Sequence, residues 1–419
     1  MRDLAIIVRP GPGTDEELLG LRPAVRTAHA LLGAGVERLW LIAEDGTSAE
    51  RVLRDLPDSL GRRATLLEAA RGEVEALRRI AAAGAGVLIV VRSDIVVGKD
   101  AAQSLASILP PPAGIAVLRD GVAIVSAEAL HDSHAVSLAD LRSSLEASGR
   151  VASPEVPGLI GSATDPSSRR AVEQALLQGL RKPLEVEGVV GYYIQRPLTR
   201  HLSRLLVRTP IRPNHLSVLA MIAGVLSGVL VATADPGWTA LGGVLFFGGS
   251  LLDCLDGEVA RLRFQCSYVG EWLDTLADDL STLSFLTGMT WNLHTRYGSI
   301  LLDAVGAISI LEFVLASAYV YHRIATVHHS GDVTVFRYSF QREDGTSRSR
   351  VLWLLKWVVK RDFFSAWFCG SALAGAIEVA FGFSAAGAFG FALAVVITAL
   401  AGANGTRALV RDARQVTPS

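Results

Sequence analysis

The first half of the chain alternates short apolar runs with amphipathic stretches. The apolar runs have about the length of buried strands, and they are Leu4–Val8, Arg38–Ile42, Ala64–Glu68, Val87–Val91 and Ile115–Leu118. Helical stretches such as Pro23–Leu32 and Glu73–Ala83 lie between them. Alternating strands and helices predict an α/β layered domain with a largely parallel sheet. A final helix from Asp165 to Leu180 places the end of this domain, residues 1–182, near Lys182.

The second half contains apolar runs long enough to cross a membrane. A transmembrane helix needs about 20 mostly apolar residues. Six stretches satisfy this requirement: 214–233, 237–256, 270–292, 298–321, 363–381 and 385–407. The second and third stretches reach that length only if they include acidic residues. We therefore predict an all-α integral membrane domain of six transmembrane helices over residues 213–415.

A basic amphipathic helix is predicted immediately before the first span, within residues 185–212. Its apolar positions include Leu198 and Leu202. Its arginines recur at every fourth position and therefore share one stripe; they are Arg196, Arg200, Arg204 and Arg208. This pattern is typical of a helix that lies in the membrane interface.

The basic residues of the loops predict an orientation in the membrane. Lysine and arginine are frequent before the first span, between spans two and three, between spans four and five, and after the last span. The opposite loops hold few basic residues, among them Arg296. The positive-inside rule then predicts that both termini and the acidic residues lie on the cytoplasmic side of the cell's inner membrane.

Composition agrees with a two-part membrane protein. The chain has 419 residues, enough for two or three domains, and half of them are hydrophobic. The mean hydropathy is +0.37, which is high for a water-soluble protein. The net charge is −1, so no general attraction to nucleic acid is expected, and we predict no nucleic-acid partner.

Four aspartates are the main chemical feature of the second half: Asp253, Asp256, Asp274 and Asp278. Spacings of three and four place each pair on one helix face. We predict that the first pair ends one helix and the second pair begins the next, with a bend formed by Cys254–Gly257 and the linker to Gly270. Converging carboxylates in an apolar setting need counter-charge. Two divalent cations, Mg²⁺ or Mn²⁺, would supply it and would suit phosphoryl chemistry.

The stretch from Asp253 to Asp278 resembles the signature of the CDP-alcohol phosphotransferases, D-x2-D-G-x2-A-R-x8-G-x3-D-x3-D. Every fixed position is matched at every spacing, and the resemblance extends over roughly residues 185–415. It implies a membrane transferase that moves a substituted phosphate group from a CDP-alcohol to an acceptor alcohol with release of CMP. The donor would be CDP-diacylglycerol or a CDP-polyol such as CDP-inositol, and the acceptor an alcohol or a polyol phosphate. The resemblance also implies membrane lipids as partners and a homodimer, which this family commonly forms.

The resemblance assigns roles to individual residues. The four aspartates would hold the metal ions, and Asp278 would also be the general base. The donor's CDP group would contact Asp253, Gly257, Ala260, Arg261 and Gly270. The residue types suit these roles, because glycine and alanine leave room for a nucleotide and arginine offers a planar donor fork for phosphate. Arg204, Arg208 and the basic loop from Arg337 to Arg361 are candidate contacts to an acceptor or lipid phosphate.

The first half resembles the sugar-phosphate nucleotidyltransferases. Gly11-Pro12-Gly13-Thr14 follows the first strand, as does the phosphate loop of that family, and Asp94 stands where the family places a metal-binding aspartate. Two positions depart from the family pattern: Asp15 replaces an arginine, and Arg22-Pro23 replaces Lys-Pro. An acid facing a triphosphate would repel it, so we predict a degenerate domain. The alternative is an active cytidylyltransferase, which would make the protein bifunctional.

A function of another class is also compatible with buried acids alone. A non-enzymatic, cation-binding membrane protein such as a transporter or scaffold would use intramembrane carboxylates. Such a protein has no need for Gly257, Ala260, Arg261 and Gly270 at fixed spacing. Stabilisation by CMP with Mg²⁺ would distinguish the enzyme from this alternative.

Overall fold

A computed structural model describes residues 2–44, 46–119, 121–131, 133–181, 184–339 and 360–415. The chain divides into two compact units. The first comprises residues 1–180 with the short segment Leu262–Phe264, and the second comprises residues 181–261 and 265–419. We call them the front unit and the membrane unit.

The front unit is built on a seven-stranded mixed sheet. Its strands are β1 (Arg2–Val8), β2 (Arg38–Ala43), β3 (Ala64–Glu68), β4 (Val87–Arg92), β6 (Ile115–Arg119), β7 (Val122–Ser126) and β8 (Val151–Ala152). A separate two-stranded sheet pairs β5 (Ile95–Val97) with β9 (Ile160–Ser162). The order in the main sheet is β3-β2-β1-β4-β7-β6-β8. Strands β1 to β4 are parallel, and β7 runs antiparallel to both neighbours. The five predicted strands are therefore present, and the hairpin partner β7 was missed.

Helices cover both faces of this sheet. They are α1 (Pro12–Asp15), α2 (Pro23–Gly33), α3 (Gly46–Asp55), α4 (Asp58–Gly61), α5 (Glu73–Ala82), α6 (Lys99–Ser107), α7 (Ala127–His131), α8 (Leu138–Ala147) and α9 (Pro166–Gly179). Alternate residues of β1 enter different hydrophobic clusters: Leu4 and Ile6 pack in one, and Ala5 and Ile7 in the other. This alternation is the period of a strand buried on both faces, which explains why β1 reads as a continuous apolar run.

The membrane unit is helical throughout its described residues. It contains α10 (Leu184–Glu187), a π-helical turn (Gly191–Gln195), α11 (Arg196–Leu206), α12 (Pro213–Ala232), α13 (Pro236–Arg263), α14 (Tyr268–Tyr297), α15 (Ile300–Arg323) with a π-helical extension to His328, a 3₁₀ turn (Val333–Val335), α16 (Arg361–Leu373) and α17 (Ile377–Gln415). An aromatic core joins three of these helices, with the rings of Phe285 and Phe368 stacked at 5.0 Å and Phe246 against both.

Four of these helices are long and apolar enough to cross a membrane: α12, α13, α15 with its extension, and α17 as far as Ala401. The prediction of six transmembrane helices is not confirmed by this criterion. Helix α14 is long enough but carries acidic and many other polar side chains. Helix α16 has 13 residues, about 20 Å at 1.5 Å per residue, whereas the hydrocarbon core is about 30 Å thick. The predicted division between spans five and six was also misplaced, because α16 ends at Leu373 and α17 begins at Ile377.

Small residues allow α12 and α14 to pack in close contact. A side chain added at Gly224 would collide with Ser281, and one at Gly228 would collide with Ser284. Gly288 on α14 lies directly against the backbone of Gly228. The Gly224–Gly228 pair noted in the sequence therefore lies at a close helix contact, as small residues at this spacing predict.

The predicted amphipathic helix over residues 185–212 is interrupted. The chain first forms α10 and then turns at Gly188, which has a left-handed φ of +96°. The π-helical turn follows, and only then does α11 begin. Leu198 and Leu205 are exposed, whereas Arg196 is buried. These apolar residues of α11 are thus exposed while polar groups are turned inward, and the arginines do not form one exposed stripe.

Candidate functional site

Three of the four predicted aspartates converge in the membrane unit. Carboxylate oxygens of Asp253, Asp256 and Asp274 all lie within 4.8 Å of one another. The first two project from the final turns of α13 and the third from the second turn of α14. Asp256 is buried, with 5% of its surface exposed. The bend differs from the prediction, because α13 continues through Gly257 as far as Arg263 and the chain turns only over residues 264–267.

The fourth aspartate, Asp278, contacts Asp253 and also forms an ion pair with Arg361. Arg361, the first residue of α16, contacts both Asp278 and Asp253, with 2.8 Å between its Nη1 atom and Oδ2 of Asp253. The sequence placed Arg361 only at the end of a basic loop. Most of that loop, residues 340–359, lies outside the described residues, and so do the side chains of the C-terminal arginines used to predict orientation.

A pocket of about 130 Å³ lies beside the acidic group. Six residues singled out from the sequence line it: Asp256, Gly257, Ala260, Arg261, Gly270 and Asp274. Asn214, Ser217 and Glu271 also line it and were missed. Asp253, Arg204 and Arg208 are not among the described residues that line this pocket. Arg204 is exposed on α11, and Arg208 is exposed just after this helix ends.

Arg261 presents buried donors in this pocket. Its Nε and Nη2 atoms are buried and have no hydrogen-bond partner among the described residues. The guanidinium lies against Gly257, where an added Cβ would come within 3.3 Å of Nη1. Burying guanidinium donors without acceptors is costly, so the arrangement suits a ligand with anionic oxygens. Glycine at position 257 also serves here to make room for Arg261 itself.

Hydrogen bonds orient the acidic helices. Ser217 on α12 donates to Asp256 through its hydroxyl. Ser267 caps α14, because its Oγ atom accepts from the N–H of Gly270 at 3.1 Å. A serine at this cap position satisfies a helix donor and fixes where α14 begins. The start of α14 sets the positions of Asp274 and Asp278 along the following turns.

A buried polar network lies beneath the motif. Glu258 accepts from Arg196 at 2.6 Å and from Thr199 at 2.9 Å, and Ser203 also donates to it. Arg196 also pairs with Glu187 at 2.5 Å. The predicted interfacial role of Arg196 is therefore wrong: it is a buried partner of Glu258. The periodicity of the arginines did not reveal this, because the partner lies on another helix.

A second contact anchors the start of α16. Asp362 accepts a hydrogen bond from the backbone N–H of Gly191 at 2.7 Å. Gly188 lies against the same carboxylate, and a Cβ there would be 2.5 Å from its oxygens. Because Asp362 follows Arg361 directly, this anchor holds the backbone from which Arg361 reaches the acids.

In the front unit, Asp94 is bound by its own neighbours. Arg92 donates to both carboxylate oxygens, at 2.9 and 2.8 Å, and Ser162 and Thr164 donate at 2.7 and 2.9 Å. Burial raises the pKa of Asp94, but these hydrogen bonds outweigh burial and lower the pKa to about 2. Gly13 packs against Asp94 and Thr164, with 3.0 Å available to an added Cβ. Asp15 accepts from the N–H of Gly11 at 3.2 Å.

Comparison with known proteins finds a family match over the part of the chain that contains the acidic site. Residues 211–342 match the family model for CDP-alcohol phosphatidyltransferases. The chain is 30% identical over 185 residues to a bifunctional IPC transferase and DIPP synthase of Aquifex aeolicus, covering 44% of this chain and 41% of that protein. It is 27% identical over 117 residues to an archaetidylinositol phosphate synthase of Pyrococcus horikoshii, covering 28% of this chain and 60% of that protein. The chain thus spans less than two thirds of either relative.

A solved structure was also matched. It is the phosphatidylinositol phosphate synthase of Mycobacterium tuberculosis with CDP-DAG bound, at 21% identity and a TM-score of 0.31, covering 49% of this chain and 90% of that one. The family match includes every residue from Asp253 to Asp278. The match begins at residue 211, later than the resemblance over 185–415 that the sequence suggested. Within the membrane unit, residues 211–342 are thus similar to the CDP-alcohol phosphatidyltransferase family.

Proposed function

We propose that this protein transfers a substituted phosphate group from a CDP-alcohol to an acceptor alcohol and releases CMP. One observation carries the proposal. A group of three carboxylates, Asp253, Asp256 and Asp274, lies beside Arg261, whose guanidinium has buried donors without acceptors among the described residues. A site that combines carboxylates with unpaired guanidinium donors suits a metal-bound phosphate.

The donor set fits hard divalent cations. Carboxylate oxygen is the ligand that Mg²⁺ and Mn²⁺ prefer, and three such groups converge here. Asp253, Asp256 and Asp274 would hold the first cation, and Asp278 would join Asp253 in holding a second. When bound, these ions would neutralise the pyrophosphate and the charge that develops on the leaving CMP.

The remaining residues bind and orient the reactants. Arg261 would donate to a phosphate of the CDP group, and Gly257, Ala260 and Gly270 would leave space for the nucleotide. Asp278 would accept the proton of the attacking hydroxyl as general base. Asn214 and Ser217, at the start of α12, line the same pocket. Ser217 orients Asp256 by donating to it.

The acceptor proposed here is an inositol compound, on the basis of one relative. We propose a polyol phosphate such as inositol phosphate as acceptor, because one relative is an archaetidylinositol phosphate synthase. A lipid donor has separate support. An apolar cavity of about 300 Å³ in the membrane unit is lined by Phe313, Phe364, Phe368 and Phe391. Its wall includes Asp279, the neighbour of Asp278.

We also propose that α14 and α16 complete a six-helix membrane domain, with both termini and the acidic site on the cytoplasmic side of the inner membrane. Helix α16, with 13 residues, would be accommodated by local thinning of the bilayer. The loop arginines support this orientation. Reporter fusions at Asp235, Arg296 and Gly375 are expected to report outside, and a fusion at Arg263 inside. Gly375 is used because the turn between α16 and α17 lies there. A cytoplasmic signal from Arg296 would contradict the six-helix arrangement.

We propose that the front unit does not turn over CTP. The bidentate contact from Arg92 occupies the carboxylate of Asp94, which would otherwise be available to a metal. Asp15 adds a negative charge beside the glycine loop. Incubating the purified chain with CTP, Mg²⁺ and polyol phosphates tests this proposal, and release of pyrophosphate would establish the bifunctional alternative.

The proposed transfer is tested by measuring CMP release from the purified protein. The donors are CDP-inositol and CDP-diacylglycerol, and the acceptors include inositol phosphate and glycerol phosphate, each with Mg²⁺ or Mn²⁺. We expect CMP release with at least one pair and none after Asp256→Asn. A non-enzymatic cation-binding protein would release no CMP, and CMP with Mg²⁺ would not raise its melting temperature.

A further inference from the structure

We propose that Arg361 competes with a second divalent cation for Asp253 and Asp278, so that the site holds one cation until Arg361 is displaced. The inference rests on the proposed function, because it takes the acids as metal ligands. It adds a role for a residue outside the acidic motif. Arg361 would be an internal counter-cation, and its release would free a guanidinium for a phosphate of the substrate.

The contacts of Arg361 carry this inference. Its Nη1 atom lies 2.8 Å from Asp253 and also contacts Asp278. About a quarter of the Arg361 side chain is exposed. The other two acids are not paired with it: Asp256 accepts from Ser217, and Asp274 lies with Asp253 and Asp256. One guanidinium therefore bridges the two carboxylates that a second cation would need.

Charge balance explains why the two cations exclude each other. Four ionised aspartates carry four negative charges, which two divalent cations would neutralise completely. Adding a guanidinium on the same oxygens would leave an excess positive charge and would place cations within a few ångströms of each other. One divalent cation with Arg361 leaves the site with a net charge of −1. The arginine therefore lowers the negative charge that would otherwise attract the second cation, and it occupies the oxygens that this cation needs.

The backbone of Arg361 is anchored, so its approach to the acids is built into the fold. Asp362 accepts from the N–H of Gly191 at 2.7 Å, and Gly188 leaves room for that carboxylate. Arg361 itself begins α16. Only the side chain must move to release the acids, and its length allows this without breaking the Asp362 contact. An anionic substrate oxygen would offer the guanidinium a new acceptor.

The test counts bound Mn²⁺ in the full-length protein without nucleotide, from the electron paramagnetic resonance signal of free Mn²⁺. The wild type is expected to bind one Mn²⁺, with a second site at least about tenfold weaker. Arg361→Gln should tighten the second site by about tenfold or more, because it removes the competing charge. Arg323→Gln is the matched control, since Arg323 is an exposed arginine in the last turn of α15, and it should bind like the wild type.

Two results would overturn the inference: two equally tight Mn²⁺ ions in the wild type, or an unchanged second site in Arg361→Gln. If Arg361→Gln does not give a monodisperse protein, Mn²⁺ binding is measured with Arg361→Lys in its place. Lysine keeps the charge and should keep the second site weak, so a tight second site in that variant would also contradict competition by charge. Failure of the proposed metal site itself looks different, because Asp253→Asn would then bind Mn²⁺ like the wild type.

Discussion

Arg196 and Glu258 form a buried ion pair, with 2.6 Å between Nη1 and Oε1 and less than a tenth of either side chain exposed. Glu258 lies inside the acidic motif, between Gly257 and Ala260. The pair therefore ties α11, whose other face is apolar and exposed, to the helix that carries Asp253 and Asp256. Glu258 and Arg196 thus connect α11 to the helix that positions the acidic site.

Removing the charge of Glu258 is expected to destabilise the membrane unit. Glu258→Gln leaves Arg196 buried with Glu187 as its remaining acidic partner, and breaking a buried pair costs roughly 3–5 kcal/mol. The melting temperature in detergent should fall clearly below that of the wild type. Glu312→Gln is the control, because Glu312 is half-buried on α15 and should change the melting temperature little. Equal effects of the two substitutions would contradict a stabilising role for the pair.

The four aspartates are expected to differ in function. Asp253→Asn, Asp256→Asn and Asp274→Asn should each weaken binding of Mn²⁺ and CMP together, because each removes a ligand charge. Asp278→Asn should leave CMP binding largely intact and slow turnover by roughly 10²–10⁴, the usual contribution of a general base. Thermal-shift titrations with CMP and CMP-release rates measure the two effects. Asp303→Asn on α15 is the control, because Asp303 pairs with His294 and is not among the residues assigned to the site. Near-normal turnover of Asp278→Asn would disprove the assignment.

The guanidinium of Arg261 is expected to bind phosphate through its shape as well as its charge. Arg261→Lys keeps the charge but loses the planar donor fork. We expect CMP affinity to fall by about tenfold or more, equivalent to about 1.4 kcal/mol, while Mn²⁺ binding without nucleotide stays unchanged. Calorimetric titration of CMP measures the loss, with Arg323→Lys as control, because Arg323 is exposed in the last turn of α15. A wild-type CMP affinity would show that Arg261 does not contact the nucleotide.

The close contact between α12 and α14 predicts a strong position dependence of glycine substitution. Gly228→Ala places a methyl group against Ser284 and must separate the helices, which typically costs about 1–3 kcal/mol. Gly390→Ala on α17 meets nothing within 4 Å. It should leave stability unchanged or raise it by up to about 1 kcal/mol, because alanine favours helix. Melting temperatures of the two variants in the same detergent provide the comparison.

The hydrogen bonds of Asp94 predict a pH-dependent contribution to the stability of the front unit. Its folded-state pKa is about 2, below the usual value of about 3.9 in an unfolded chain. The contribution is therefore present above about pH 4 and is lost as the pH falls through about 2. Asp94→Asn should destabilise residues 1–180 more at pH 7 than near pH 2.5. Urea unfolding followed by circular dichroism measures this, and a difference independent of pH would contradict it.

Local patterns predicted most of the front sheet. Strands buried on both faces appear as continuous apolar runs, and all five such runs are strands. The missed strand β7 is also an apolar run, Val122–Ser126, but it follows β6 through a short turn at Gly121. Alternating strands and helices predict parallel neighbours, so this pattern does not predict an antiparallel hairpin. The antiparallel pairing of β7 with β4 depends on the tertiary fold.

The acidic site was also predicted only in part from local patterns. The spacing of Asp253 and Asp256 is local, and helix geometry alone brings this pair to one face. The contact of Arg361 with Asp278 joins residues far apart in the chain and depends on where α16 begins. Arg196 was misplaced for a similar reason. Its period of four matches a surface stripe, but the buried acid that attracts it lies on α13.

The contact of Gly224 and Gly228 with Ser281, Ser284 and Gly288 also constrains how this protein can change over evolution. No atom beyond hydrogen fits at Gly228, because an added carbon would collide with the backbone of Ser284, which no smaller side chain on α14 could relieve. At Gly224 the nearest atoms belong to the side chain of Ser281, so a larger residue at position 224 is tolerated only with a smaller one at position 281. Substitutions at these positions should be accepted in compensating pairs, so that related sequences vary there together or not at all.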